Sequence, residues 1–508
     1  MEAAGLENDS GVVFPLVDDR RSTSAAGRAV LADSVRAQDR GLAAEIERER
    51  DWRSGYLASY RRVTTLEAGS AAAARGIAAA GLASVADRFR FRRHGVDEPL
   101  DQALRAGLAA SGEPALHPVT LDGSGHPPVG ALSVPYRGTR LAGPHLDRAL
   151  DGWVAAGVAE PSLAEAVRAV RDHPDWLDLR DLTVVALGAA AEMGPVGSLL
   201  GWGAHVVAVD LPDVRRWTRL VDLARGGPGR ITVPLSRWLP ASAGDDEIAA
   251  EAGADLVAQT PELLRWLAEL PGPITLGQYV YADGAMHVRT SVAVDALTSS
   301  LVSARPDVSL AFLATPTDAF AVPEEVVAAS RARYSERGGL RRLARPASLG
   351  RLFETNYPDT IAGPGGRELG LADSLVVQQG PNYALAKRIQ RWRATQERMA
   401  GRRVSLNVAP ATRTRSVLRN RILAAAYAGA HRFGVEVFEP ATSNALMAAL
   451  LVHDLRNPAS AANPAVPLSH PAELYWQGAM HGGLWRNAYA PRSVLGIAVL
   501  LGAVRRES

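Results

Sequence analysis

The sequence predicts an α/β protein built on a doubly wound parallel sheet, with a helical N-terminal region and a C-terminal extension. Three observations carry this. Short, uninterrupted apolar runs recur between residues 182 and 440, and helix-like segments separate most of them. The first run ends in Gly188 and the second in Asp210. Strands buried on both faces read as continuous apolar runs, and their alternation with helices marks a parallel sheet covered on both sides.

In chain order, residues 1–21 read as disordered. Residues 22–175 read as a helical region with one hairpin. Ala, Arg, Glu and Leu recur at helical spacing from Arg28 to Tyr60, which predicts one or two amphipathic helices. The stretch LHPVTLDGSGHPPVGALSVPY is punctuated by Pro and Gly, and its DGSG predicts a hairpin turn. The sheet-forming domain is expected over 176–440. Its strands are LTVVALG (182–188), AHVVAVD (204–210), ITVPL (231–235), PITLGQYVY (273–281), VSLAFLA (308–314), VSLNVA (404–409) and VEVFEP (435–440). An Arg-rich and then Gly/Pro-rich stretch over 321–372 interrupts the rhythm and reads as an insertion or lid. Residues 441–508 form an extension carrying Tyr475, Trp476, Trp485 and Tyr489.

Composition limits the function classes. The chain has 508 residues, 47% hydrophobic and 22% charged, which is the profile of a globular protein. Lys+Arg number 56 and Asp+Glu 54, so no whole-chain charge points to nucleic acid. The basic residues are nearly all Arg, as a GC-rich genome would give. The absence of Cys excludes disulfides, thiolate metal sites and Cys nucleophiles. The N-terminus lacks the apolar segment of a signal peptide, and the run Val494–Val504 is too short to span a bilayer. A cytoplasmic protein with no membrane partner is the expectation. The histidines lack metal-ligand spacing, and neither a P-loop nor a nucleophile elbow occurs.

Two constellations carry chemistry. The first is VVALGAAAEMGPVGSLLGWGAHVVAVD. Gly188 closes a strand, Gly194 allows close backbone approach, Pro195 suits the first helical position, and Gly197 permits tight helix–strand packing. Backbone N–H groups there can hold a pyrophosphate, and Asp210 can accept hydrogen bonds from an adenosine ribose. The acid favours NAD over NADP, while Arg215 and Arg216 close behind it leave NADP open. The second is QQGPNYALAKRIQ. Tyr383 and Lys387 lie one helical turn apart, and an ammonium beside a phenol favours the phenolate. Such a pair can transfer a proton.

This order of motifs resembles the short-chain dehydrogenase/reductase family: Gly-rich turn, acidic strand end, Tyr-x-x-x-Lys, then a strand followed by Pro410, Thr412 and Thr414. The resemblance covers about half the chain, 182–440. It implies that Tyr383 is the acid/base and that Lys387 lowers its pKa and holds a nicotinamide ribose. It implies that Thr315, or Thr317 beside it, orients a substrate carbonyl, and that Pro410, Thr412 and Thr414 touch the nicotinamide. The implied activity is NAD(P)-dependent interconversion of a carbonyl and an alcohol on a bulky small molecule, in a homo-oligomer. The chain departs from the family at Glu192, where a Gly is usual, at Ala411, and at Tyr281-Ala282-Asp283-Gly284 after the fourth strand. The family's Asn on the following helix has Ser291 and Asp295 as its nearest counterparts. Two other readings use the same strand ends: an S-adenosylmethionine-dependent methyltransferase, and a binding or scaffold protein without turnover.

Further residues have two readings each. The arginines 331, 333, 337, 341, 342 and 345 are an anion clamp or a solvated loop. His287 lines the pocket or packs. His481 and Trp485 close the pocket or form core.

Overall fold

A computed structural model describes residues 10–125, 131–336, 338, 346, 348–349 and 351–504. The principal sheet has seven strands: β1 (His117–Asp122), β2 (Thr183–Leu187), β3 (His205–Val209), β4 (Arg230–Leu235), β5 (Ile274–Gln278), β6 (Val308–Ala314) and β7 (Val404–Val408). Their spatial order is β7-β6-β5-β2-β3-β4-β1. All neighbours pair parallel except β1, which runs antiparallel along β4 with Leu121 opposite Ile231.

The apolar runs explain this arrangement residue by residue. Val184, Ala186, Val206 and Ala208 enter one core cluster, whereas Val185, Leu187, Val207 and Val209 enter another on the opposite face. Side chains alternate across a strand, so a run that is apolar at every position needs cover on both faces. Helices supply it. The second face is covered by α2 (Gly284–Ala304) and α3 (Pro381–Met399), which also pack on one another. The first face takes up Leu446, Leu450 and Val452 from Pro440–Arg456.

The chain leaves β2 towards β3 and β4, then returns to place β5 on the other side of β2. Strand order reverses there, and in doubly wound sheets such a reversal is where a ligand crevice lies, outside the carboxyl ends of the two strands.

Three expectations are corrected. The DGSG segment does not turn a hairpin: His117–Asp122 is the edge strand of the principal sheet, and the small hairpin is Val134–Tyr136 with Thr139–Leu141. An exposed edge at β4 would offer unpaired backbone groups, and the antiparallel strand covers them. VEVFEP forms no strand. Its Phe438 makes an isolated bridge to Thr412, and a helix begins at Pro440. Residues 10–21 are ordered, with Gly11–Val13 paired to Arg90–Arg93, while 1–9 lie outside the described residues.

The N-terminal helices Thr23–Val35, Arg40–Arg48, Trp52–Gly69 and Ala71–Arg88 share a core with α2 and α3. Gly81 is required there, because a Cβ would collide with the Trp392 ring. The ends of the 321–372 stretch pair with each other: Ala319–Pro323 runs antiparallel to Glu368–Asp373, which also pairs with Ile361–Ala362. Among the described residues, no helix is long and apolar enough to cross a membrane.

Candidate functional site

The carboxyl end of β6 leads directly into Thr315, Thr317 and Asp318. Helix α3 starts alongside. Gly380 adopts φ 81°, a conformation other residues rarely take, and Pro381 follows in the first turn, where its missing N–H costs nothing. Gln379 fixes the approach: its amide Nε2 donates to the Thr317 carbonyl at 2.8 Å and to its hydroxyl at 2.9 Å, and its Oε1 accepts from Val376 N–H at 2.9 Å. Thr315 and Thr317 share a hydrogen bond of 2.9 Å. The fold therefore brings Thr315, Tyr383 and Lys387 together, although 68 positions of numbering separate the first two. 

Burial pushes the Tyr383 phenol up to about 12, against the opposing pull of hydrogen bonding from Thr315 and Thr317. The carboxylate of Asp318 adds to the upward shift. This corrects the expected role of Lys387, which is not among the groups that shift the phenol. Near neutral pH Tyr383 is thus a protonated phenol, a donor rather than an acceptor.

Lys387 donates to Gln390 Oε1 at 3.2 Å. Burial lowers its ammonium to about 8, partly countered by Asp318. Lys387 is also the sole lysine among the 56 basic residues. A lysine supplies a compact ammonium whose pKa burial can shift, unlike a guanidinium. A small cavity lined by Phe312, Ala314, Thr315, Asp318, Lys387 and Gln390 lies beneath it, with room for about one water molecule.

His287 on α2 completes the cluster. Its ring meets the Tyr383 ring edge-on at 5.5 Å and the Tyr281 ring at 5.1 Å. Burial, with the Lys387 charge behind it, holds its pKa well below the usual imidazole value. Among the described residues its Nε2 is buried without a hydrogen-bond partner, as are Ser291 Oγ and Gln390 Nε2. Asp295 is engaged elsewhere, in an ion pair with Arg393 at 2.7 Å. Tyr427, from the helix Arg421–Gly429, is near enough for Tyr383 to raise its pKa further.

The Gly-rich turn lies at the β2–β5 crevice. Gly188 has φ 81°, and a Cβ there would approach the Tyr279–Val280 backbone at 3.0 Å. Gly194 lies near Tyr279, with Asn444 donating to its carbonyl. The expected packing role of Gly197 is corrected: a Cβ there would meet nothing. The helix begins at Val196, with Pro195 as its cap. Asp210 accepts from Ala190 N–H at 2.8 Å and Leu211 N–H at 2.9 Å, and pairs with Arg216 at 2.9 Å. It braces the turn and is already neutralised, so its expected free carboxylate is corrected. Arg215 is exposed beside it. Glu192 is turned away from the turn and binds Arg415, through Nε at 2.9 Å and the backbone N–H at 2.8 Å.

Beyond β7, the Thr412 hydroxyl is occupied internally by the Pro410 carbonyl at 2.9 Å and Ser443 at 2.7 Å. That corrects its expected availability to a ligand. Thr414 caps the short helix Arg415–Arg419. Arg331 and Arg333 hold backbone carbonyls of Tyr357, Arg486 and Ala155, so neither is an open anion clamp. Arg337, Arg341, Arg342 and Arg345 lie outside the described residues. His481 donates to buried Glu160 at 2.9 Å and stacks on Trp485, which joins the extension to the helix Pro161–Asp172.

No protein-family model, curated protein or solved structure matches the chain. The function therefore rests on geometry.

The lysine gives a direct measurement. Cyanate carbamylates neutral amines, so Lys387 should react with a half-maximal rate near pH 8, because burial lowers the ammonium to about 8 from its ordinary 10.5. Mass spectrometry of the single lysine-bearing peptide reads it separately from the N-terminal amine. A rate still climbing above pH 10 would put the amine in a water-like setting.

Proposed function

We propose that the chain is a carbonyl reductase of short-chain dehydrogenase/reductase type that prefers NADP. The convergence of Thr315, Tyr383 and the sole lysine at the carboxyl end of β6 carries this reading. The strand order supports it, because a doubly wound sheet places its ligand crevice at the β2–β5 reversal.

The residues present suit a dinucleotide in chemistry. Glu192 is neutralised by Arg415 and does not oppose a pyrophosphate. Asp210 is neutralised by Arg216, and the exposed Arg215 would be free to meet a 2′-phosphate. Gly188 and the neighbouring backbone would hold the pyrophosphate, and Lys387 the nicotinamide ribose. The bound cofactor would supply the hydride. Thr315 would orient a substrate carbonyl by hydrogen bonding. Tyr383, kept protonated by burial, would donate its proton to the carbonyl oxygen as that oxygen gains charge. Lys387, an ammonium below about pH 8, would hold the ribose hydroxyls rather than tune the phenol.

Thermal melting with NADPH, NADH and S-adenosylmethionine tests this. A ligand that binds the folded state at one hundred times its Kd adds about 2.7 kcal/mol of stability, so the melting point should rise with NADPH most of all. Arg215→Ala should weaken NADPH about tenfold and leave NADH unchanged, as for loss of one charged contact. A rise with S-adenosylmethionine alone would make the chain a methyltransferase. No rise with any of the three sinks the enzyme reading.

A further inference from the structure

The helices Arg421–Gly429 and Pro491–Val504 form an antiparallel pair. Small residues set the contact: a Cβ at Gly429 would collide with the Ala498 carbonyl, and one at Gly502 with the Ala425 carbonyl. These backbones touch, so each helix turns its bulkier side chains elsewhere. Phe433, Val494 and Ala498 pack inward with Phe353 and Tyr489.

The other side of the pair is apolar and open. From Ser493 to Val504 the sequence has no charged residue. Leu500 is 68% exposed, Leu501 45%, Ile422 49% and Leu418 48%. The collision between Gly502 and Ala425 places Leu501 and Ile422 at the same end of the pair. A helix face exposed to water ordinarily carries polar side chains, and a cluster of exposed leucines marks a contact surface.

Charge identifies what covers it. Between Arg413 and Arg432 there are five arginines and no acidic residue. Arg413 pairs with Glu439 and Arg415 with Glu192, whereas Arg419 and Arg421, flanking Leu418 and Ile422, are exposed and have no ionic partner among the described residues. A second copy docking face to face would bring these unpaired arginines against themselves. An anionic lipid surface satisfies both parts of the patch: leucines enter the acyl boundary and guanidinium groups meet phosphates.

We propose that this helix pair seats the protein on the surface of an anionic phospholipid bilayer. The same helix carries Tyr427 beside Tyr383, so an apolar substrate held in the bilayer would lie close to the site. The docking stands independently of the reductase reading.

The full chain should be sedimented with vesicles of phosphatidylcholine alone and with vesicles of equal parts phosphatidylcholine and phosphatidylglycerol. Binding is expected to the anionic vesicles and not to the neutral ones. Reversing both charges in Arg419→Glu/Arg421→Glu should weaken binding by about tenfold or more, since each arginine near such a surface contributes about 1 kcal/mol. Leu500→Glu, at an exposed position that folding does not need, should weaken it as well. Equal binding to both vesicles overturns the proposal. So does binding to neither, including the case in which the chain instead doubles its mass in solution and Leu500→Glu reverses that doubling.

Discussion

Tyr383→Phe should lower turnover of a ketone substrate by about 10²–10⁴-fold, the usual share of a positioned proton donor. The substitution removes one hydroxyl. Its neighbours keep other partners: Thr315 and Thr317 remain bonded to each other at 2.9 Å, and Gln379 still holds Thr317. Stability and NADPH affinity should therefore change little, while the chemical step is lost. The pH profile adds a second check. The phenol is raised to about 12, so a reduction that uses it as donor should not fall between pH 7 and 10 through loss of the tyrosine proton. Any decline near pH 8 would instead report Lys387, whose ammonium is lowered to about 8. Lys387→Arg should not restore activity. A guanidinium keeps the charge but is planar, larger and does not titrate in this range. A Tyr383→Phe variant that retains most of its rate would remove the acid from the scheme.

The second large effect concerns the base of the same helix. Arg388 has a side chain with 0% exposure, paired to Glu67 at 2.9 Å. Arg391 reaches the same carboxylate at 3.4 Å, and Trp392 donates to it at 3.1 Å. Glu67 belongs to the N-terminal helix Trp52–Gly69, so this carboxylate joins the N-terminal region to the helix bearing Tyr383 and Lys387. Glu67→Ala would leave a buried guanidinium short of a counter-charge, at a cost of about 3–5 kcal/mol in unfolding free energy. Asp318 remains 3.0 Å from Arg391 and 3.8 Å from Arg388, which argues for the lower end of that range. Urea unfolding measures it through the midpoint. A loss under about 1 kcal/mol would class the pair with exposed ion pairs instead.

These two sites differ in how much of each the sequence reveals. Tyr383 and Lys387 share a helix face by spacing alone, and Thr315 is named by its place after a strand. His287 keeps two readings in the sequence, and Asp318 carries no signal there. They act through the packing of α2 on α3 and through a loop that returns to the strand end. One compositional signal was available for the site: a single lysine in a chain rich in arginine singles out position 387.

The sequence by itself determined the six parallel strands and the helices between them. Continuous apolar runs are a local consequence of burial on both faces, and they need no partner to be read. The tertiary structure alone decided the edge strand drawn from residues 117–122, the loss of the strand at 435–440, and the charge states at the site. Each depends on which distant groups share a low-dielectric interior. The Tyr383 phenol is raised rather than lowered because burial outweighs the hydrogen bonds from Thr315 and Thr317, and Asp210 braces its own turn because Ala190, Leu211 and Arg216 reach it first.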